Sequence, residues 1–78
     1  MRNQYGVDLK GVSGQETIWC DTRADANRVR RVYKEWIKQG GWTGWATLRE
    51  LADTALNNKG KSISEIIGQF NRNRRELK

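Results

Sequence analysis

Hydrophobic positions recur along this chain at two different spacings, and the change from one to the other divides it. Tyr5, Val7 and Leu9 alternate with Gln4, Gly6, Asp8 and Lys10, the period of two expected of a strand with one buried face. GVSG at 11–14 interrupts the pattern with two glycines that tolerate positive φ, which suits a turn. Alternation resumes in QETIWCD at 15–21, where Ile18 and Cys20 share one face and Thr17 and Trp19 the other. The economical reading is a β-hairpin over about residues 4–21.

Beyond residue 22 the spacing lengthens to that of a helix. Thr22 and Asp25, three residues apart, form a capping-box pattern. Ala26, Val29, Val32, Tyr33, Trp36 and Ile37 then supply one apolar stripe, and Gly40-Gly41 ends it, predicting a helix over about 23–38. Thr47 and Glu50 repeat the capping pattern before Leu48, Leu51, Ala52, Ala55 and Leu56, predicting a helix over about 48–57 that NNKG terminates. Ser62 and Glu65 repeat it again before Ile63, Ile66, Ile67 and Phe70, predicting a helix over about 63–75. WTGWA at 42–46 suits either a short third strand or a packed loop. The fold class expected is α+β: an N-terminal β-hairpin followed by three helices, in a single domain spanning 1–78 without internal repeat, low-complexity linker or proline.

A chain of 78 residues buries only roughly 60–65% of the surface it exposes when unfolded, so its aromatic residues matter, and a homodimer or partner is compatible with so small a core. Trp36, on the apolar stripe, is expected in the core. Trp42 and Trp45, beside the glycine pair, are expected to seal the hairpin against the helices. Trp19 shares its strand face with Thr17 rather than Ile18. Packing under the helices is the expectation; left exposed, Trp19 becomes a stacking platform for an unpaired base or an anchor for a protein partner.

Charge adds a second layer. Fifteen Lys plus Arg against nine Asp plus Glu give +6, with a pI near 10.0 and a mean hydropathy of −0.91. In so small a body this balance favours polyanions: nucleic acid, DNA ahead of RNA, or an acidic surface of a larger protein. The competing explanation is a generally cationic domain with no such partner. Position separates the two. At about 100° per residue, Arg23, Arg30, Arg31, Lys34 and Lys38 fall within an arc of about 100° with Asn27 among them, roughly opposite the apolar stripe. Asp25 and Glu35 are expected only at its margins. A solvated helix face usually mixes signs so that neighbours four apart attract; a row of one sign repels itself, which points to a ligand that compensates.

The last predicted helix ends in GQFNRNRRELK, 68–78. With Ile66, Ile67 and Phe70 inward, Ser64, Gly68, Gln69, Arg72, Asn73 and Arg75 face outward. Gln, Asn and Arg are the side chains able to contact base edges bidentately, although basic residues near a helix C-terminus are also expected on dipole grounds. The join NNKGKS is longer than the three- or four-residue turn of a helix-turn-helix. GKSISEII resembles the loop and second-helix start of ribbon-helix-helix regulators, a likeness confined to about residues 47–78. That family needs a polar alternating strand ahead of its first helix, where this chain has GWTGWAT, and the chain is not assigned to it.

Several chemistries are excluded by composition. One cysteine, Cys20, rules out an internal disulfide framework, and the absence of histidine removes Cys/His zinc sites and every triad that needs imidazole. Cys20 itself is expected to be a buried thiol kept protonated by its surroundings. No carboxylate pair has general acid/base spacing, and no Gly-rich phosphate loop occurs. No enzyme activity, metal or cofactor is therefore expected. No apolar run approaches the roughly 18 residues of a membrane span, and MRNQYGVDLK lacks a secretory signal. The expectation is a cytoplasmic nucleic-acid-binding accessory or regulatory protein of a bacterium or phage, acting in the host cytoplasm if phage-encoded. Phosphates would be held by Arg23, Asn27, Arg30, Arg31, Lys34 and Lys38, with Gln69, Arg72, Asn73 and Arg75 adding contacts. The alternative is a protein-interaction module, such as a small phage-type inhibitor or adaptor, docking on a larger host protein or nucleoprotein assembly.

Overall fold

Alternation in the first twenty residues builds a two-stranded antiparallel ribbon, β1 (Tyr5–Gly11) and β2 (Gly14–Cys20). The computed structural model describes residues 5–11, 14–41 and 45–76, and the side chains of these except at 45, 46 and 74–76. Tyr5 stands opposite Cys20, Val7 opposite Ile18 and Leu9 opposite Glu16, so these residues share the inner face by parity. Gly14 takes a φ of +144° where the chain leaves the turn, a conformation only glycine adopts easily. Val12 and Ser13, at the tip, lie outside the described residues.

Three helices cover the inner face: α1 (Arg23–Lys38), α2 (Trp45–Asn57) and α3 (Ile63–Glu76). Fold class and element order are thus those the periodicity predicts, an α+β chain with hairpin first. Thr22 is extended (φ −132°, ψ 160°) and its Oγ1 accepts from the Asp25 amide, which satisfies one of the open N–H groups of α1. Only half of that capping box forms, because the Asp25 carboxylate turns to Lys59 Nζ at 3.1 Å. At α3 the box is complete: the Ser62 hydroxyl accepts from the Glu65 amide, and the Glu65 carboxylate accepts from the Ser62 amide.

The far end of α1 shows what the glycine pair does. Gly40 has a φ of +89°; its amide donates to the Ile37 carbonyl and the Gly41 amide to the Trp36 carbonyl. This is the double bond pattern of a Schellman motif. Gly41 also lies directly under the indole, since a Cβ there would stand 2.4 Å from Trp36 Cδ2. Trp36 is buried and meets Phe70 of α3 edge to face, ring centroids 5.4 Å apart at 87°, a geometry worth about 0.5–1.5 kcal/mol beyond area burial.

Around that contact sit Val29 and Val32 of α1, Leu48, Leu51 and Ala55 of α2, Ile66 and Ile67 of α3, and Val7, Leu9 and Ile18 of the ribbon. Tyr33 fastens α1 to the ribbon by donating its hydroxyl to the Lys10 carbonyl at 2.6 Å. Among the described residues, one polar residue joins the core: Glu16 is only 5% exposed, its Oε2 accepts from Arg49 of α2, and its Oε1 has no hydrogen-bond partner among them.

Four expectations change. The second helix begins at Trp45, so Thr47 has helical backbone and cannot take the extended conformation an N-cap needs. Trp45 and Ala46 are therefore helical rather than part of a third strand; Trp42 and the rest of that segment, 42–44, lie outside the described residues. Ile37, placed on the apolar stripe by periodicity, is 40% exposed, because the stripe is wider than the surface its neighbours cover. Trp19 is 58% exposed: the helices pack on one face of a two-stranded ribbon, and parity sets Trp19 on the other.

Candidate nucleic-acid interface

The apolar side of α1 is turned inward by Ala26, Val29, Val32 and Trp36, and this fixes what its other side presents. Arg23, Asn27, Arg30, Arg31, Lys34 and Lys38 are all exposed and form one strip about 22 Å long at 1.5 Å per residue. Arg30 Nη1 donates to Asn27 Oδ1 at 2.9 Å, so Asn27 orients a guanidinium rather than neutralising it. Among the described residues, no carboxylate pairs with any of the five cations. The ion pairs seen among the described residues, Arg49 with Glu16 and Lys59 with Asp25, lie elsewhere.

The acidic margins differ from expectation. Asp25 does not flank the strip: it is half-buried on the packed side and engaged by Lys59 from the segment joining α2 to α3. Glu35 does lie at the edge, where its carboxylate accepts from Gln39 Nε2 at 3.0 Å.

Beside the strip runs a seam with α3. Arg28 Nη1 donates to the Lys61 carbonyl at 3.3 Å, while Trp36 meets Phe70 further along, so α1 and α3 run in the same sense. Between them lies a groove of about 470 Å³ walled by Arg31, Lys34, Glu35 and Lys38 on one side and by Ile63 and Ser64 on the other. A smaller depression of about 280 Å³ continues it past Arg31 and Ile63 to Ala24, Asn27 and Arg28. The cations of α1 therefore stand on a ridge with a trough alongside, and the ammonium and guanidinium heads can reach oxygens lying either on the ridge or in the trough.

Arg28 and Ile63 also belong to this surface, where the sequence pattern does not place them, and so does Ser64 from the outward face of the last helix. Arg28 lies about 60° round the helix from the nearer end of the cationic arc; only the arrival beside it of Lys61, 33 residues on, and of the α3 start that follows makes it a groove residue.

On α3, Arg72 Nη2 donates to Gln69 Oε1 and Gln69 Nε2 donates to Asn73 Oδ1, both at 3.1 Å. Both ends of the Gln69 amide are thus committed to helix neighbours. Gln69 is half-buried and braces the other two, while its amide keeps one further N–H and one further lone pair. Arg72 and Asn73 are exposed and keep further donors. Arg75 lies on the same helix, with its side chain outside the described residues.

Cys20 is buried in the ribbon's inner face, and burial first, then Asp25 and Asp21, pushes its thiol pKa up, which disfavours the nucleophilic thiolate. Among the described residues no group of three or more His, Cys, Asp and Glu stands close enough to hold a metal ion, and no helix is long and apolar enough to cross a membrane. Comparison with family models, with curated proteins and with solved structures finds no match for this chain.

Proposed function

We propose that this chain is a small nucleic-acid-binding accessory or regulatory protein that holds phosphates along α1. One observation carries the reading: Arg23, Arg30, Arg31, Lys34 and Lys38 form an exposed cationic strip, with Glu35 at its edge and no carboxylate in an ion pair with it among the described residues. Attraction to a polyanion relieves the repulsion within such a strip and releases condensed counterions from the ligand. Arg72 and Asn73 of α3 add contacts beyond the trough, with Arg75 on the same helix. The role is binding rather than catalysis, in the cytoplasm.

Fluorescence anisotropy with a labelled duplex oligonucleotide tests this. Neutralising about five phosphates gives a slope of log K against log salt of about −4.5. Replacing Arg30 and Lys34 together by Glu should remove measurable binding to unrelated sequences alike. No binding of either this duplex or a single-stranded oligonucleotide by the wild-type protein at about 50 mM salt, or an affinity independent of salt, refutes the proposal.

A second reading draws on a different observation. Trp19 and Ile37 are large apolar residues left exposed, and Trp and Arg are each favoured anchors at protein interfaces. Under that reading the chain is an adaptor or inhibitor docking on an acidic surface of a larger protein, and the double substitution abolishes capture of that protein alone.

A further inference from the structure

Trp19 stands on the outer face of the ribbon, directly opposite Gly6. Its six-membered ring occupies the place a side chain at position 6 would fill: a Cβ built on Gly6 would lie 3.0 Å from Trp19 Cζ3, 3.2 Å from Cη2 and 3.3 Å from Thr17 Cγ2. Glycine thus lets the indole lean across the strand pair, and Thr17 backs it. The Thr17 hydroxyl is in turn fixed by a bond to Asp8 Oδ1 at 2.8 Å. The rest of the ring is open to solvent, giving the 58% exposure of the residue. Four residue steps separate Trp19 from Arg23, the first cation of the strip, so their Cα atoms stand no more than about 14 Å apart.

We propose that Trp19 stacks on an unpaired base of a nucleic-acid strand whose backbone continues onto the cationic strip of α1, so that single-stranded segments are the preferred ligand. The inference rests on the phosphate-binding reading of α1 and adds the substrate class. A duplex keeps its base faces stacked on one another and offers none to an exposed indole; an unpaired strand offers one per nucleotide. Charge sets the direction of travel. Asp8 lies two rungs nearer the hairpin turn, across from Thr17, with exposed Lys10 two rungs further on, so that direction offers no net positive charge and a polyanionic strand is drawn the other way, toward α1. Asp21, exposed in the connection, adds one negative charge there, against five cations beginning two residues on.

The test compares a fluorescein-labelled oligothymidylate with a blunt-ended duplex of equal length, for the wild-type protein, Trp19→Leu and Trp19→Phe. Leucine keeps an apolar cover over Gly6 without a π-face; phenylalanine keeps both. Trp19→Leu should weaken oligothymidylate binding about 5- to 100-fold, Trp19→Phe should retain most of it, and duplex binding and both salt slopes should stay unchanged. Thermal melts of the two variants establish that each is folded, and the Leu–Phe comparison holds even if both lose some stability. Oligothymidylate binding equal to wild type in Trp19→Leu overturns the inference and leaves the phosphate reading standing; that is also the result if Trp19 anchors a protein. Equal loss on both ligands overturns it too. No binding of either ligand by the wild-type protein at low salt removes both the inference and the reading beneath it.

Discussion

The ion pair between β2 and α2 makes a signed prediction. Glu16 lies on the inner face of the ribbon opposite Leu9, with its side chain 4% exposed against 54% for Arg49. Removing Arg49 leaves a buried carboxylate without its cation. For a fully buried pair that costs about 3–5 kcal/mol. Here the cation is half in water, so its attraction is partly screened and solvent enters more readily after truncation; about 2 kcal/mol is expected for Arg49→Ala. Glu16→Leu acts in the opposite way. It removes a charge that is costly to desolvate, together with an oxygen, Oε1, that has no hydrogen-bond partner among the described residues, and sets leucine against Leu9 at similar volume. Replacing a buried pair with packed apolar groups is neutral or stabilising by about 1–4 kcal/mol, and because Arg49 is half exposed the gain is expected near the bottom of that range.

Urea denaturation followed by far-ultraviolet circular dichroism reads both. With a slope of about 1 kcal/mol per molar for so small a domain, Arg49→Ala should lower the midpoint by about 2 M and the melting temperature by about 8–16 °C. Glu16→Leu should leave the midpoint unchanged or raise it. The double variant should match Glu16→Leu alone, since without the carboxylate Arg49 has nothing to neutralise, and this non-additivity is the signature of a direct pair. A Glu16→Leu variant less stable than Arg49→Ala, or additive effects, would refute the account of Glu16 as a burden that only Arg49 makes tolerable.

Two further predictions follow from the helix ends. Gly41→Ala drives a methyl group to within 2.4 Å of the Trp36 ring and 2.8 Å of its carbonyl oxygen; because Phe70 pins that ring, the variant should lose about 1–3 kcal/mol, read by thermal denaturation, and unaltered stability would contradict the packing described. Ser62→Ala removes the α3 cap and should cost about 1 kcal/mol by the same assay. Hydrogen bonds from the Ser62 amide and then its side chain hold the Glu65 carboxyl below the usual carboxylate range, so its stabilising contribution is present above that range and lost as pH falls through the lowered value. The Glu65 carboxyl titration, followed by NMR, should return toward the ordinary value in Ser62→Ala.

Much of the fold is legible in the sequence for local reasons. Period two in β1 and β2, the Gly40-Gly41 stop and the Ser62–Glu65 box each act within a few residues, so pattern alone places the hairpin, α1 and the start of α3. Thr47–Glu50 shows the limit: the capping residues are present, but a helix that already includes Trp45 passes through them. The cationic strip is also readable, since α1 is long enough for angular mapping to separate its faces. What pattern alone leaves unread depends on distant partners. Parity turns Glu16 inward, yet only Arg49, 33 residues later, makes that burial tolerable. Asp25 sits beside arginines in sequence and is taken by Lys59, and Gln69 looks free until Arg72 and Asn73 are found bonded to it.

The crowding of like charges along α1 has an energetic consequence of its own. Arg30 with Lys34, Lys34 with Lys38 and Arg31 with Lys34 are neighbours on the helix surface, and three such repulsions together amount to roughly 1 kcal/mol. In a domain of this size that is a noticeable share of the margin against unfolding. The bare protein is therefore held somewhat below the stability its core would allow, and whatever neutralises the ridge lets the helix relax. Salt alone should supply part of that relief, so the isolated domain should melt higher in a strongly saline buffer than in a dilute one.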